Sequence, residues 1–278
     1  MDGRALAERV RAEVAADVAE LGDVGLATVL VGDDPASEIY IDLKHKAARA
    51  AGINAVDRRL PAETTQEELL EVVRELNADD AIDGVLVQSP LPGDLDETAT
   101  VEEVDPAKDV DGLHPLSAGL LTLGRPRLVG ATPLGIMRLL AEYGVDPHGK
   151  HAVVVGRSNI VGKPVAQLLL AAHATVTICH SRTPDLGRFT GAADVLVAAV
   201  GVAHLIRPEM VNEGAAVVDV GMNRTQEGLV GDVHPDAMER AAVMTPVPGG
   251  VGPMTIAMLL QNTVRAARLR RTPLSSVR

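Results

Sequence analysis

A chain of 278 residues, 46% of them hydrophobic, is long enough to build one large or two medium α/β domains. Its formal charge of −12 excludes a surface made for nucleic acid or for an anionic membrane, so any anionic ligand must be held by local cations. The single cysteine, Cys179, excludes a disulfide framework and a four-thiolate metal site, and no metal is expected.

Residues 4 to 21 place Leu6, Val10, Val14, Val18 and Leu21 on one stripe, which predicts an amphipathic helix ended by Gly22. No cationic segment followed by a signal-type apolar core opens the sequence, and no apolar run reaches membrane-spanning length; a cytoplasmic protein is the expectation. LATVLVG (26 to 32) reads as a strand, and a helix follows from about Ser37 to a stop at Gly52. Tyr40 and Lys44 are four apart on that helix and share a face, whereas Ile39, Leu43 and Ala47 lie on another stripe and are expected to meet the core. The pair therefore reads either as presented to a cleft or as a solvated lysine beside a half-buried ring. Tyr40 is one of few rings available: the chain has two tyrosines, one phenylalanine (Phe189) and no tryptophan.

INAVDRRL is a second strand, and Thr65 with Glu68 forms a capping box for a helix through Asn77. GVLVQ (84 to 88) is a third strand that puts Gln88 at its carboxyl end. A polar segment then runs to Pro115. Its Asp109-x-Asp111-Gly112 imitates a calcium loop but lacks the first ligand and the bidentate glutamate, where Ala107 and Ala118 stand. A carboxylate there suits a ligand or a backbone turn better than a cation. Thr132 as cap, Pro133 at the first position and Gly144 as stop bound the next helix, which leads into the second half.

That half is organised by AVVVGRSNIVGKP (152 to 164), a strand that stops at Gly156 before a helix starting near Val161. Such a junction aims free backbone N–H groups and the positive end of the helix dipole at a phosphate. The spacing departs from G-x-G-x-x-G: Ser158 takes the place of the second glycine and Gly162 comes one residue late, so an ordinary strand-to-helix turn would read the same way. Four further apolar segments follow, at 175 to 180, 194 to 201, 215 to 223 and 242 to 250, alternating with helical stretches as in a parallel sheet covered on both faces. Ligands of such sheets lie outside the strands' carboxyl ends, which nominates Gly156, Arg157, Ser158, Gly162, His180, Ser181, Arg182 and Gly201. The second strand ends in His180-Ser181-Arg182 where an NAD-preferring fold carries a carboxylate, which favours NADP over NAD, a solvated basic turn being the other reading. GGVGP then bends the chain into a last helix, MTIAMLLQNTVRAARLRR, and RTPLSSVR is expected to fray.

Six segments, YIDLK (40 to 44), VQSPLP (87 to 92), KDVDG (108 to 112), GRSNIVGKP (156 to 164), GDV (231 to 233) and PGGVGPMT (248 to 255), have the order and spacing of the bifunctional methylenetetrahydrofolate dehydrogenase/methenyltetrahydrofolate cyclohydrolase family, which the chain resembles over nearly its whole length. The resemblance implies an α/β protein of two domains with a cleft between them. A folate-binding catalytic domain would comprise 1–121 with 253–278, and a Rossmann-like doubly wound NADP domain 122–252. It implies oxidation of 5,10-methylenetetrahydrofolate by NADP and hydrolysis of the methenyl product to 10-formyltetrahydrofolate, in one-carbon metabolism and purine biosynthesis. On the same basis Lys44 is catalytic, Gln88 tunes it, Tyr40 stacks on the folate and Asp111 grips the pterin. Gly252, Pro253 and Thr255 border the folate, Arg157, Ser158 and Arg182 contact NADP, and two copies form a homodimer. Ala131, Ser89 and Ser117 depart from the Cys, Leu and Asn common in the family, the last two on the folate side. The other readings are a dehydrogenase of the same fold with another substrate, a monofunctional paralogue, and a non-enzymatic dinucleotide sensor.

Overall fold

The computed structural model describes residues 1–226 and 228–271, so the expected frayed tail lies, beyond Arg271, outside the described residues. Helix α1 (Gly3–Leu21) buries the expected Leu6, Val10, Val14 and Val18 stripe. Strand β1 (Gly25–Val31) is buried along its whole length because it is the centre of a parallel three-stranded sheet. Helix α2 (Pro35–Ala50) starts two residues before the expected Ser37, since Asp34 accepts the Ser37 N–H at 2.8 Å and Pro35 sits at the first position. Strand β2 (Asn54–Leu60), helix α3 (Gln66–Ala78) and strand β3 (Gly84–Val87) complete the sheet in the order β2-β1-β3, and the Thr65–Glu68 capping box is present.

The polar stretch after β3 contains helices α4 (Glu97–Glu103) and α5 (Pro115–Thr122), which the sequence pattern did not suggest. Both are too short to show an apolar stripe and are set by their caps: Asp96 accepts the Thr98 and Ala99 N–H groups, and His114 Nδ1 accepts that of Leu116.

Helix α6 (Ala131–Glu142) begins two residues earlier than expected. Thr132 is therefore inside its first turn and does not cap it; its hydroxyl hydrogen-bonds that of Thr255 at 2.9 Å. Strand β4 (His151–Val155), helix α7 (Gly162–Ala171), strand β5 (Thr175–Cys179), the short helix α8 (Leu186–Thr190), strands β6 (Val195–Ala198) and β7 (Ala216–Asp219), and the hairpin pair β8 (Asn223–Thr225) and β9 (Gly228–Val230) follow. Strand β10 (Val243–Met244) then closes the larger sheet before helix α9 (Val251–Arg271). Five strands are parallel in the order β10-β7-β6-β4-β5, as the apolar segments predicted. Their Val, Leu and Ala side chains form a core with Cys179 and Phe189. The order reverses beside β4, which is where a doubly wound sheet opens a crevice for its ligand.

Compact units comprise Arg9–Ala131 with Ile256–Arg278, and Met1–Glu8 with Thr132–Thr255. This division differs from the expected 1–121/253–278 and 122–252 boundaries at residues 122–131, which join the Arg9–Ala131 unit, and at the amino terminus, where the Gly3 N–H bonds the Gly249 carbonyl at 3.0 Å and ties the first residues to the nucleotide-type unit. In the other unit, α9 carries buried Asn262, whose amide donates to the Val110 and Val129 carbonyls, each at 2.7 Å. Asn262→Ala leaves two buried carbonyls without a donor. We expect a loss of about 1–3 kcal/mol for each, read as a lower urea midpoint at unchanged slope.

Candidate active site

In the unit built on β1, the core face of α2 is Ser37, Ile41, His45 and Ala48, with His45 Nε2 and the Thr28 hydroxyl 2.7 Å apart behind it. Ile39 and Leu43, expected in the core, are instead 61% and 47% exposed. The helix is rotated relative to that expectation, with Ile41 and His45 turned inward. Leu43 and Ala47 line a groove of about 440 Å³ together with Arg11, Lys46 and Ile256. Tyr40 is exposed at 41%, and Lys44, one turn on, is half-buried at the edge of the core face.

Gln88 continues the β3 ladder through its N–H to Val29, then folds its side chain so that Nε2 donates to the Ser89 carbonyl and Oε1 accepts from Lys44 Nζ at 2.9 Å. The amine is thus held by a neutral acceptor. Burial lowers the Lys44 pKa from its ordinary value, and the charge of Asp111 partly restores it. Asp111 in turn is pushed up to about 6, by burial first, with Lys44 pulling it down and Asp109 pushing it further up.

The two carboxylates of the KDVDG segment divide the work foreseen for one. Asp109 is the turn-former: it accepts the Leu113 and His114 N–H groups and the Ser117 hydroxyl, the last at 2.8 Å. Ser117 thus serves the loop that bears Asp111, a role its departure from the family pattern did not disclose. Gly112, at φ 63°, packs so closely on Gly130 that a Cβ would lie 2.5 Å from its nitrogen. Asp111 has no hydrogen-bond partner among the described residues, so its oxygens are open to a ligand. Lys108, also unremarked in the sequence, is fully buried and caps α3 by donating to the carbonyls of Leu76, Asn77 and Asp79.

The other unit gathers the nucleotide-type residues at the carboxyl ends of β4, β5 and β6. Gly156, at φ 126°, lies against the Ala199 carbonyl, where a Cβ would approach to 2.2 Å. Ser158 fills its glycine position for a reason: its hydroxyl accepts the Val161 and Gly162 N–H groups at the start of α7, at 3.1 and 3.3 Å. Arg157 is exposed, and Lys163, absent from the sequence-derived set, donates to Asn159 at 2.7 Å in the same loop. At the end of β5, His180 Nδ1 accepts the Arg182 N–H, and Ser181 and Arg182 project to solvent. Arg157 and Arg182 have no ion-pair partner among the described residues. Gly201 takes φ 68° on an exposed turn after β6. Gly252 and Pro253 lie in the first turn of α9, with Thr255 bonded to Thr132.

These features define a dinucleotide-binding parallel sheet and a separate unit that presents a desolvated lysine beside a carboxylate. Residues 1–111 match the tetrahydrofolate dehydrogenase/cyclohydrolase catalytic domain, and residues 130–271 match its NAD(P)-binding domain. The chain belongs to the tetrahydrofolate dehydrogenase/cyclohydrolase family. It is 56% identical to the bifunctional protein FolD of Acidiphilium cryptum over 274 residues, covering 98% of each chain. Among solved structures it resembles the bifunctional FolD enzyme of Campylobacter jejuni (TM-score 0.95, 46% identity, 97% and 98% of the two chains). It also resembles the Trypanosoma brucei enzyme, complexed with NADP and an inhibitor (TM-score 0.91, 41% identity, 98% of each). Among the described residues no helix is long and apolar enough to cross a membrane.

The charge pair makes a titration prediction. A carboxyl whose folded pKa exceeds its ordinary 3.8 stabilises the fold when protonated, so its contribution is present at the acid end and is lost as pH rises through about 6. Because Lys44 pulls Asp111 down, Lys44→Met is expected to raise the Asp111 pKa further above about 6. Carboxyl carbon NMR titration reads this, with Asp111→Asn identifying the resonance.

Proposed function

We propose that Lys44, Gln88, Asp111 and Tyr40 carry out the folate chemistry of this chain, and that the loop from Gly156 to Gly162, the His180–Arg182 turn and Gly201 hold its NADP. The chain is a bifunctional enzyme of one-carbon metabolism: an NADP-dependent methylenetetrahydrofolate dehydrogenase and a methenyltetrahydrofolate cyclohydrolase. The observation that supports the residue assignment best is the 2.9 Å bond from Lys44 Nζ to Gln88 in a half-buried setting that also holds Asp111.

Bound NADP supplies the hydride acceptor. The residues around it fit that load: Gly156 lets the end of β4 pass against the Ala199 carbonyl and turn into the loop before α7, Arg157 and Arg182 are cations without an ion-pair partner among the described residues, and β5 ends in His180-Ser181-Arg182 with no carboxylate to repel a ribose phosphate. The folate's own nitrogens expel the hydride, so oxidation asks the protein for alignment more than for an acid or base. Hydrolysis asks for more. Water adds to the methenyl carbon and loses a proton; the carbon–N5 bond then breaks as N5 gains one and the new hydroxyl gives up its remaining proton to become the formyl carbonyl. Lys44, biased toward its neutral form by burial, takes the first proton and returns it to N5; one proton is released overall. Asp111, ionised above about pH 6, accepts two N–H bonds from the pterin edge, and Tyr40 lies flat against the ring system. Gly252, Pro253 and Thr255 border the same substrate. A homodimer in the cytoplasm that binds no nucleic acid and feeds purine biosynthesis completes the proposal, supported by the family resemblance and the charge of −12.

Lys44→Met is expected to slow methenyl hydrolysis by about 10²–10⁴-fold while leaving NADP affinity unchanged; equal hydrolysis rates in variant and parent would remove Lys44 from the mechanism. A hydrogen bond to a charged group contributes about 1.5–3 kcal/mol, so Arg182→Ala should shrink the preference for NADP over NAD by about 10- to 100-fold in steady-state kinetics.

A further inference from the structure

We propose that Asp232 is a positioning residue for the coenzyme, holding the Val200–Val202 turn in the shape that borders the Gly156 phosphate loop. Asp232 is fully buried, and its carboxylate is saturated by four donors. Oδ2 accepts the Val200 and Gly201 N–H groups at 2.7 and 3.0 Å; Oδ1 accepts the Val202 N–H and the Asn223 amide, each at 2.9 Å. Three successive backbone N–H groups of a turn form a nest for an anion. Here the protein fills that nest from within.

The anchor is itself anchored. Asp219, at the end of β7, accepts the Gly221, Asp232 and Val233 N–H groups, each at 2.9 Å. Burial pushes Asp219 up to about 6, so its geometry, rather than a high intrinsic acidity, secures the arrangement. Both carboxylates sit where only glycine leaves room: a Cβ on Gly231 would lie 1.8 Å from Asp219, and one on Gly221 would lie 2.3 Å from Asp232. The chain of contacts runs from β7 through Asp219 and Asp232 to the turn after β6. It continues through the Ala199 carbonyl to Gly156 at the end of β4. Three neighbouring strands thus have their carboxyl ends tied together, in the row where a dinucleotide lies. Because its N–H groups are spent on Asp232, this turn gives the coenzyme a shaped surface and no donors.

This inference rests on the proposed placement of NADP at Gly156–Gly162, and the cyclohydrolase reaction separates it from mere stability, since hydrolysis needs no dinucleotide. Asp232→Asn keeps the shape but turns an amide N–H toward a backbone N–H. The expected result is a rise in the NADP dissociation constant of about tenfold or more, with methenyl hydrolysis, assayed without NADP, within about twofold of the parent. Asp232→Glu, which keeps the charge and lengthens the arm, should fall between the two. Unchanged NADP affinity, or a parallel fall in both activities, would overturn the proposal. If Asp232→Asn fails to fold, Asn223→Ala, which removes one donor, replaces it: a rise of about threefold in the NADP constant with intact hydrolysis supports the proposal, and no rise overturns it. Arg157→Ala serves as the control; if it too leaves NADP binding untouched, the placement of the coenzyme fails and not the role of Asp232 alone.

Discussion

The chemistry proposed for this protein depends on holding an amine out of water without giving it a full ion pair. Lys44 is kept by the Gln88 amide oxygen at 2.9 Å, while the nearest strong influence of opposite sign, Asp111, is itself pushed up to about 6. A tight carboxylate partner would fix the lysine as a permanent cation, and an empty apolar pocket would leave it neutral and unable to return a proton. The neutral acceptor keeps both protonation states accessible. Lys44 and Asp111 also act on each other, the carboxylate raising the amine's pKa and the amine lowering the carboxyl's. The rest of the unit serves this placement, from the buried Ile41 and His45 that seat α2 on the core to the three bonds by which Asp109 fixes the loop bearing Asp111.

The nucleotide unit solves an opposite problem. On the proposed placement of NADP, a chain with formal charge −12 accepts a polyanion by burying its nearby carboxylates and satisfying them internally. Asp219 and Asp232 lie at the strand ends, where a bare charge would repel phosphate. Both are buried and wrapped in backbone N–H groups, so their charge is directed into the fold. The exposed cations of these loops are Arg157, Lys163 and Arg182, with Asp185 the exposed carboxylate of the β5–α8 loop.

Much of this was legible in the sequence because it is written in period and punctuation. Five Val-rich runs ending in Gly, His or Pro gave the larger sheet, and the Thr65–Glu68 spacing gave a capping box that is present. Tyr40, Lys44, Gln88 and Asp111 were found by motif, and the structure brings Lys44 together with Gln88 and with the charge of Asp111. What escaped depends on three-dimensional neighbours. The stripe Ile39, Leu43 and Ala47 satisfies helical spacing as well as the true core face does, and only the packing of α2 decides between them. Helices α4 and α5 are shorter than the window over which periodicity can be judged, and their caps, Asp96 and His114, look like loop residues. Thr132 fits a cap by type but spends its hydroxyl on Thr255, far away in the chain. Asp232 was visible only as part of a motif, since nothing local in GDV says that its carboxylate reaches back to residues 200–202.

The scarcity of aromatics turns composition into an argument about the substrate site. Of three rings, Phe189 packs on the core of the larger sheet, and the Tyr143 hydroxyl accepts the Asp2 N–H at 2.6 Å. Tyr40, about as exposed as Tyr143, stands on the helix that carries Lys44, one turn from it. An exposed tyrosine in a protein that builds its cores almost entirely from aliphatic side chains adds little to stability and loses hydration on any surface it covers. Its position is explained if a flat heterocycle completes its burial, which also brings that heterocycle within reach of the amine. In the proposed mechanism ring stacking and proton transfer therefore impose one geometric condition, which the one-turn spacing of Tyr40 and Lys44 on α2 suits.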